Sequence, residues 1–486
     1  MDDIAKQGKF FPQGMAFYLK GWILILLALP SGCAAYHPVP LTPESVEAKL
    51  RQPAMADMKI LASQIRHPIL HPIELKPEAG LTPESAAVLA VLLNPSLRAV
   101  RDKRALANAQ LTEAGLLPDP ELSLSADKPT GGDTTGKVNA YGLGLSWDLT
   151  SLLSRGVRKS RAQLNRTAVD LDIAWQEWQI AQAAKAAVFQ LAVLERQLLV
   201  AEQRSTQAND DLARMRKAVA AGYMTGNALN TARNTALHAE ENLLDLKKQT
   251  LQQQLQVKRL LGLPAQNTIR LDENIRLPSR ADLPDSSLLL KNLEERRLDL
   301  LALRRGYESQ EEAVRTAIME QFPRITLGPT FNRDTDRLQT IGFAVSIGLP
   351  FFNRNQGQIA QARATRQLLF DEYANRVFEA GSDVASLLAG LNFLNEQIDA
   401  AQNAETESRK LVGGYRAALA DGRINLLEYQ SAWKDYADNQ ARVLNLQGEL
   451  ARAEVALQLA TGFYQLPKPE SSTKDISARP TNEVSP

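Results

Sequence analysis

The chain has a single cysteine, Cys33, and only four histidines. One cysteine excludes an intrachain disulfide and a cysteine-built metal cage. His67 and His71 stand four apart, but Pro68 and Pro72 forbid the helix that would bring them onto one face, so no metal site is expected there. His37 and His238 are isolated. No phosphate-cradling glycine loop and no nucleophile elbow occurs, so the expectation is no cofactor, no nucleotide site and no enzyme activity. An excess of one charge is also missing. The balance is +1 with both signs interspersed, unlike the strongly basic balance of a nucleic-acid binder.

Glycine and proline are both absent from residues 157–221. At ~1.5 Å per residue a helix of that length reaches on the order of 100 Å, too long for any compact core to bury. Ile180, Ala184, Ala187, Leu191, Leu194 and Leu198 recur at steps of four and three, a heptad seam. Val188, Ala192 and Leu199 lie partly off it, which implies packing against neighbours on two sides, as in a ring of helices. Trp175 and Trp178 on the same helix read as packing residues.

The N-terminal region carries an export pattern. Lys20 precedes an apolar run, residues 22–29, too short to span a bilayer, and Leu29-Pro30-Ser31-Gly32-Cys33 follows, so residues 1–32 read as a signal peptide. Met15 would give that signal a conventional short charged start, as an alternative to Met1. Ser31 and Gly32 match the small residues ahead of a lipidated bacterial cysteine, whereas Pro30 departs from that pattern; an ordinary signal with an incidental cysteine is the alternative. Both routes export the chain.

Residues 33–80 are proline-dotted and read as an extended arm, with a short helix starting at the Leu-Thr-Pro-Glu-Ser string of residues 41–45. The same string recurs at residues 81–85, where Thr82 and Pro83 open a helix expected to run to Leu117-Pro118. Periodicity then changes to two. Leu122, Leu124 and Ala126 alternate with serines, and Tyr141, Leu143, Leu145, Trp147 and Leu149 alternate with small residues, a hairpin with one large apolar face. The long helix follows, broken at Ala221-Gly222-Tyr223-Met224-Thr225-Gly226, and a second helix returns to Leu261-Gly262-Leu263-Pro264.

Residues 286–465 repeat residues 81–264 at an offset of about 200, across a linker at 265–285, so the chain is a duplicated half rather than a solenoid. Ile325, Leu327 and Phe331, then Ile341, Phe343, Val345, Ile347 and Leu349, form the second hairpin. A second long helical segment breaks at Ala420-Asp421-Gly422-Arg423, and its last helix carries the seam Val443, Leu446, Leu450, Ala453, Leu457 and Ala460. Residues 466–486 read as a polar, disordered tail.

Strands of ~10 residues with one apolar face have the size and period of bilayer-spanning β-strands, and Leu143, Leu145, Trp147, Phe343, Val345 and Ile347 are expected to face lipid, with Trp147 an interfacial anchor. A soluble hairpin lid is the alternative reading. Four strands leave open edges that lipid cannot satisfy, so two or three copies must close the sheet. Arg196, Glu202, Arg204, Asp210 and Asp211 make the long helix too polar for lipid; it continues the tube into an aqueous compartment.

The mature chain resembles the TolC-type outer-membrane efflux family in its two copies of helix, hairpin, long helix, tip and helix, and in Leu349-Pro350-Phe351-Phe352-Asn353-Arg354-Asn355-Gln356-Gly357 after the second hairpin. It is most similar to the branch with the outer-membrane subunits of heavy-metal efflux pumps. The resemblance implies a mainly α protein with membrane β: a homotrimer whose long antiparallel helices form an α-barrel in the periplasm, continuous with a twelve-stranded barrel in the outer membrane of a Gram-negative bacterium. It implies a passive exit duct for efflux or type I secretion of heavy-metal cations or drugs, joined through a periplasmic adaptor to an inner-membrane pump of the RND or ABC type. The helix tips carry the adaptor contact in the family. Here these are Gly222, Tyr223, Gly226 and Asn227, and Asp421, Gly422, Arg423 and Asn425. Glu428 matches one of two acidic residues that ring the family's closed pore; Asn425 replaces the other, and the first repeat has Asn227 and Asn230. Cys33 would carry the lipid anchor. The competing function is an exported coiled-coil scaffold that conducts nothing.

Overall fold

The computed structural model describes residues 35–463 and 465–466. Cys33, the signal region and residues 467–486 of the expected tail lie outside the described residues. Two units divide the chain, Met1–Gln52 and Pro53–Pro486. In the first, α1 (Pro43–Leu50) is started by a reciprocal cap between Thr42 and Ser45, with Pro43 in the first turn.

In the second unit the arm is not extended. Residues 55–63 form α2 (Met55–Ser63), and Met58, Ala62 and Leu75 pack on Val88 and Leu93 of α3 (Pro83–Leu93). The helix expected from Thr82 to Leu117 is also two helices, α3 and α4 (Pro95–Gly115). Pro95 supplies no N–H and restricts Asn94 before it, which sits at ψ 119 and caps α4 by accepting from the Ser96 N–H at 2.9 Å.

β1 (Glu121–Asp127) and β2 (Ala140–Asp148) form the first hairpin; β3 (Arg324–Arg333) and β4 (Gln339–Gly348) form the second. β1 has 7 residues and β2 9, short of the expected ten, while β3 and β4 have 10 each. All four join in one antiparallel sheet in the order β1-β2-β3-β4. The β2–β3 ladder lapses opposite Gly328 and Pro329, where proline has no N–H to give. There the Leu145 carbonyl oxygen lies 1.5 Å from where a Cβ on residue 328 would be, so only glycine fits.

α5 (Leu149–Ala220) leaves β2 directly, capped by Asp148 accepting from the Ser151 N–H at 3.0 Å, and runs for 72 residues. It turns into α6 (Gly226–Leu260). The second half follows as α7 (Ser286–Leu290), α8 (Leu293–Arg296), α9 (Leu298–Met319), the second hairpin, α10 (Gln356–Ala420) and α11 (Leu426–Thr461). α5 is the hub: α3, α4, α6, α9 and α11 all pack on it. The residue of α11 that faces Val193 of α5 is Gly448, where a Cβ would stand 2.5 Å from a Val193 methyl.

The seam of α5 is buried at Ala184, Ala187, Leu191 and Leu194 together with Val188 and Ala192, whereas Leu199 is 60% exposed. Trp178 is fully buried and Trp175 nearly so. Each half has its own core: Ala184, Val188, Leu191, Val257 and Leu261 in the first, Val384, Leu391, Ile398, Val443 and Leu450 in the second. Leu271 and Ile275 of the 265–285 segment close the first core, and Ala281 the second.

The polarity argument holds along α5 but less well along α10. That helix carries one 18-residue window long and apolar enough to cross a bilayer, of which 22% is buried in the protomer. Phe378 and Phe393 stand exposed on it.

Candidate aperture at the helix tips

The two tips are built alike. After α5, Gly222 takes φ 76, and the Gly222 and Tyr223 N–H groups return to the carbonyls of Val219 and Ala218 at 3.0 and 2.9 Å. After α10, Gly422 takes φ 69, and the Gly422 and Arg423 N–H groups return to Leu419 and Ala418 at 3.1 and 2.8 Å. A left-handed residue one step past a helix satisfies carbonyls that the helix leaves unpaired, and glycine adopts it without a Cβ clash. Thr225 caps α6 at one tip, and Asn425 caps α11 at the other.

Gly222, Tyr223, Gly226 and Asn227 are exposed, as are Asp421, Gly422, Arg423 and Asn425, so both expected contact groups stand at the ends of their hairpins. Arg423 pairs with Asp421 across its own turn. Glu428 is exposed and engaged. Its Oε2 accepts from the Asn425 N–H at 3.1 Å, while its own N–H donates to Asn425 Oδ1 at 2.9 Å, a capping box. Asn425 is therefore the residue that starts α11.

Polar contacts tie the hairpins to each other along α5 and α11. Gln197 reaches Asn445 at 2.8 Å, Arg204 pairs with Asp438 at 3.1 Å, and Gln430 donates to Asp211 at 3.3 Å. Asp211 is 2% exposed; burial raises its carboxyl above the usual range, against Gln430, Gln207 and Arg214. Leu426 packs into the apolar cluster of Leu212, Met215 and Ala232 below the first tip. In sequence Asp211 is one charge among several on the long helix; Ala208, Leu212 and Met215 around it, which continue the four-and-three spacing past Leu198, are the signal of its burial.

Elsewhere the buried charges hold the scaffold. His67 Nδ1 accepts from the N–H groups of Ile69 and Leu70 at 3.1 and 3.0 Å, so Nε2 carries the proton and donates to the Ala174 carbonyl at 2.9 Å. Nε2 docks the arm on α5, while Nδ1 braces the arm's own turn. Burial lowers its pKa, against the Ala174 bond and Glu177.

On α11, burial pushes Glu454 up from 4.5 to about 7, opposed by Lys185 and assisted by Asp282. The folded state therefore holds this proton more tightly than the unfolded chain. That contribution is full below pH 4.5 and is lost as pH rises to about 7. Glu454→Gln should remove up to ~3 kcal/mol of this pH dependence, so its thermal midpoint should exceed that of the wild type at pH 8 and match it at pH 4.5. Parallel melting curves for the two proteins across that range would contradict the assignment.

On the sheet, register places the expected lipid-facing residues on one side. Leu145 lies opposite Leu122, Leu143 opposite Phe331, Trp147 opposite Leu327, and Phe343, Val345 and Ile347 opposite Pro329, Leu327 and Ile325. Phe343 is 79% exposed and Val345 60%. The other side carries Ser123, Gly144, Ser146, Thr330, Gly342 and Ser346. The Trp147 indole N–H donates to the Pro118 carbonyl at 2.6 Å, where the first hairpin begins.

The profile of the outer membrane efflux protein family matches residues 87–263 and again residues 289–463. The cobalt-zinc-cadmium resistance protein CzcC of Cupriavidus metallidurans is 23% identical over 403 residues, 80% of this chain and 92% of its own. The cation efflux system protein CusC of Escherichia coli strain K12 is 24% identical over 282 residues, 55% of this chain and 60% of its own. The solved outer membrane protein VceC of Vibrio cholerae superposes with a TM-score of 0.66 at 19% identity, covering 78% of this chain and 96% of that one. With one profile matched along each of two structurally repeated halves, the chain belongs to the outer membrane efflux protein family.

Proposed function

We propose that three copies of this chain form the outer-membrane exit duct of a tripartite efflux system, a passive conduit for metal cations. The observation that carries the reading is the four-stranded sheet, with one face of large apolar side chains and two unpaired edges, β1 and β4. Lipid cannot satisfy those edges; pairing β4 of one copy with β1 of the next closes a ring of twelve strands. The exposed apolar window of α10 is covered by neighbouring helices in the same ring. The names of CzcC and CusC favour metal cations as cargo.

In this reading the tips at Tyr223 and Arg423 meet a periplasmic adaptor, and an inner-membrane pump supplies the energy. Cys33, once processed, carries an acyl anchor. Three Glu428 carboxylates ring the aperture, attract cations and repel one another. Glu428→Gln separates the charge from the cap, because glutamine at this position can still accept from the Asn425 N–H.

Single-channel recordings of the purified protein in planar bilayers test both parts. Wild type should be mostly closed and cation-selective, and Glu428→Gln should bring the cation-to-anion permeability ratio towards unity. Channels indifferent to the substitution would keep the duct and discard the acidic gate. Folded protein that never conducts would overturn the duct in favour of a scaffold.

A further inference from the structure

The outermost row of side chains on the apolar face of the sheet breaks its pattern. Tyr141, Arg333 and Gln339 lie opposite one another across β2, β3 and β4, on the parity of the lipid-facing residues. The next row inward is Leu143, Phe331 and Ile341, wholly apolar. A phenol, a guanidinium and an amide in one row mark the level where hydrocarbon gives way to headgroups. Tyr141 and Trp147, at the two ends of β2, are about 20 Å apart along the strand, close to the height of a barrel's apolar band.

Arg333 has no ion pair among the described residues, and its Nε is buried without a hydrogen-bond partner. The nearest acids of its own loop are engaged: Asp334 accepts from the N–H groups of Asp336 and Leu338, and Asp336 pairs with Lys137 of the first hairpin. β3 is interior to the sheet, so closing a ring through β1 and β4 leaves Arg333 on the outer face. Directly inward of Tyr141 lies an open apolar groove of about 460 Å³, walled by Leu124, Tyr141, Leu143 and Phe331 and left empty because Ala126 is small.

A half-buried guanidinium with no ionic partner among the described residues, beside an apolar groove at the outer headgroup level, has the chemistry of a lipid site rather than of a general membrane surface. We propose that it binds a phosphate-bearing, acylated glycolipid of the outer leaflet. Arg333 takes the phosphate, for which a guanidinium offers paired donors. Tyr141 and Gln339 hydrogen-bond the headgroup, and one acyl chain lies in the groove. The proposal rests on reading the hairpins as membrane strands.

Native mass spectrometry of the full-length assembly tests it, using a diphosphorylated multi-acyl glycolipid, the same glycolipid without phosphate, and phosphatidylglycerol. Wild type should retain the phosphorylated glycolipid most tightly. Arg333→Gln should weaken that binding about tenfold and abolish the preference for phosphate. Ala126→Leu, on another strand, should shorten retention by filling the groove. Binding of the phosphorylated glycolipid that is unchanged in both variants would overturn the site, as would equal binding of phosphatidylglycerol. A wild type that inserts and conducts but retains no glycolipid sinks this inference alone. One that never inserts sinks the membrane reading beneath it.

Discussion

Leu145→Arg and Val345→Arg should each cost about 2–4 kcal/mol of insertion free energy and deplete the assembled protein in outer-membrane fractions. Both residues sit in the middle of their strands, opposite Leu122 and Leu327, on the face of large apolar side chains. A guanidinium there must be taken out of water with no partner in lipid. The control is one residue away. Ser346, opposite Thr326 on the other face, points towards the channel interior in the same reading, so Ser346→Arg should assemble normally. Heat-resistant oligomers counted on gels for all three variants decide the matter, and normal yields of both lipid-face variants would refute the barrel.

Asp299→Ala should destabilise the protein by about 3–5 kcal/mol, because it strands a buried cation. Arg297 is 2% exposed and grips Asp299 through Nε and Nη2 at 3.0 and 2.7 Å; Arg376 of α10 adds a third bond at 2.8 Å. The Arg297 guanidinium also lies over Trp175 at 5.1 Å. Burial alone would raise the Asp299 pKa, yet the two arginines hold it below the ordinary value. The double variant Arg297→Met with Asp299→Leu should recover much of the loss, since it removes both charges together. Equal denaturation midpoints for wild type and Asp299→Ala would show that the triad contributes nothing.

This triad also shows what duplication hides from a reader of the sequence. Aligning the halves sets Arg297-Leu298-Asp299 on Asn94-Pro95-Ser96, and no side-chain chemistry is shared. In the structure Asn94 and Arg297 do the same work. Asn94 Nδ2 donates to the Leu260 carbonyl at 2.9 Å, and Arg297 Nη1 to the Ala460 carbonyl at 3.4 Å, each pinning the last helix of its half. Position in the fold is preserved where the residue type is not.

Periodicity and chain breakers were enough to read the long helices, the hairpins, the two tips and the repeat, because each depends on residues near one another in sequence. A heptad seam, an alternating strand and a glycine past a helix end state their geometry locally. Contacts between distant segments were not legible in this way. Nothing near Asp211 announces that Gln430 meets it, and nothing near Gly328 announces that the Leu145 carbonyl approaches its backbone. The row of Tyr141, Arg333 and Gln339 exists only once three strands are in register. Those features depend on which surfaces meet, and that is settled by packing and register over the whole chain rather than by any one stretch of it.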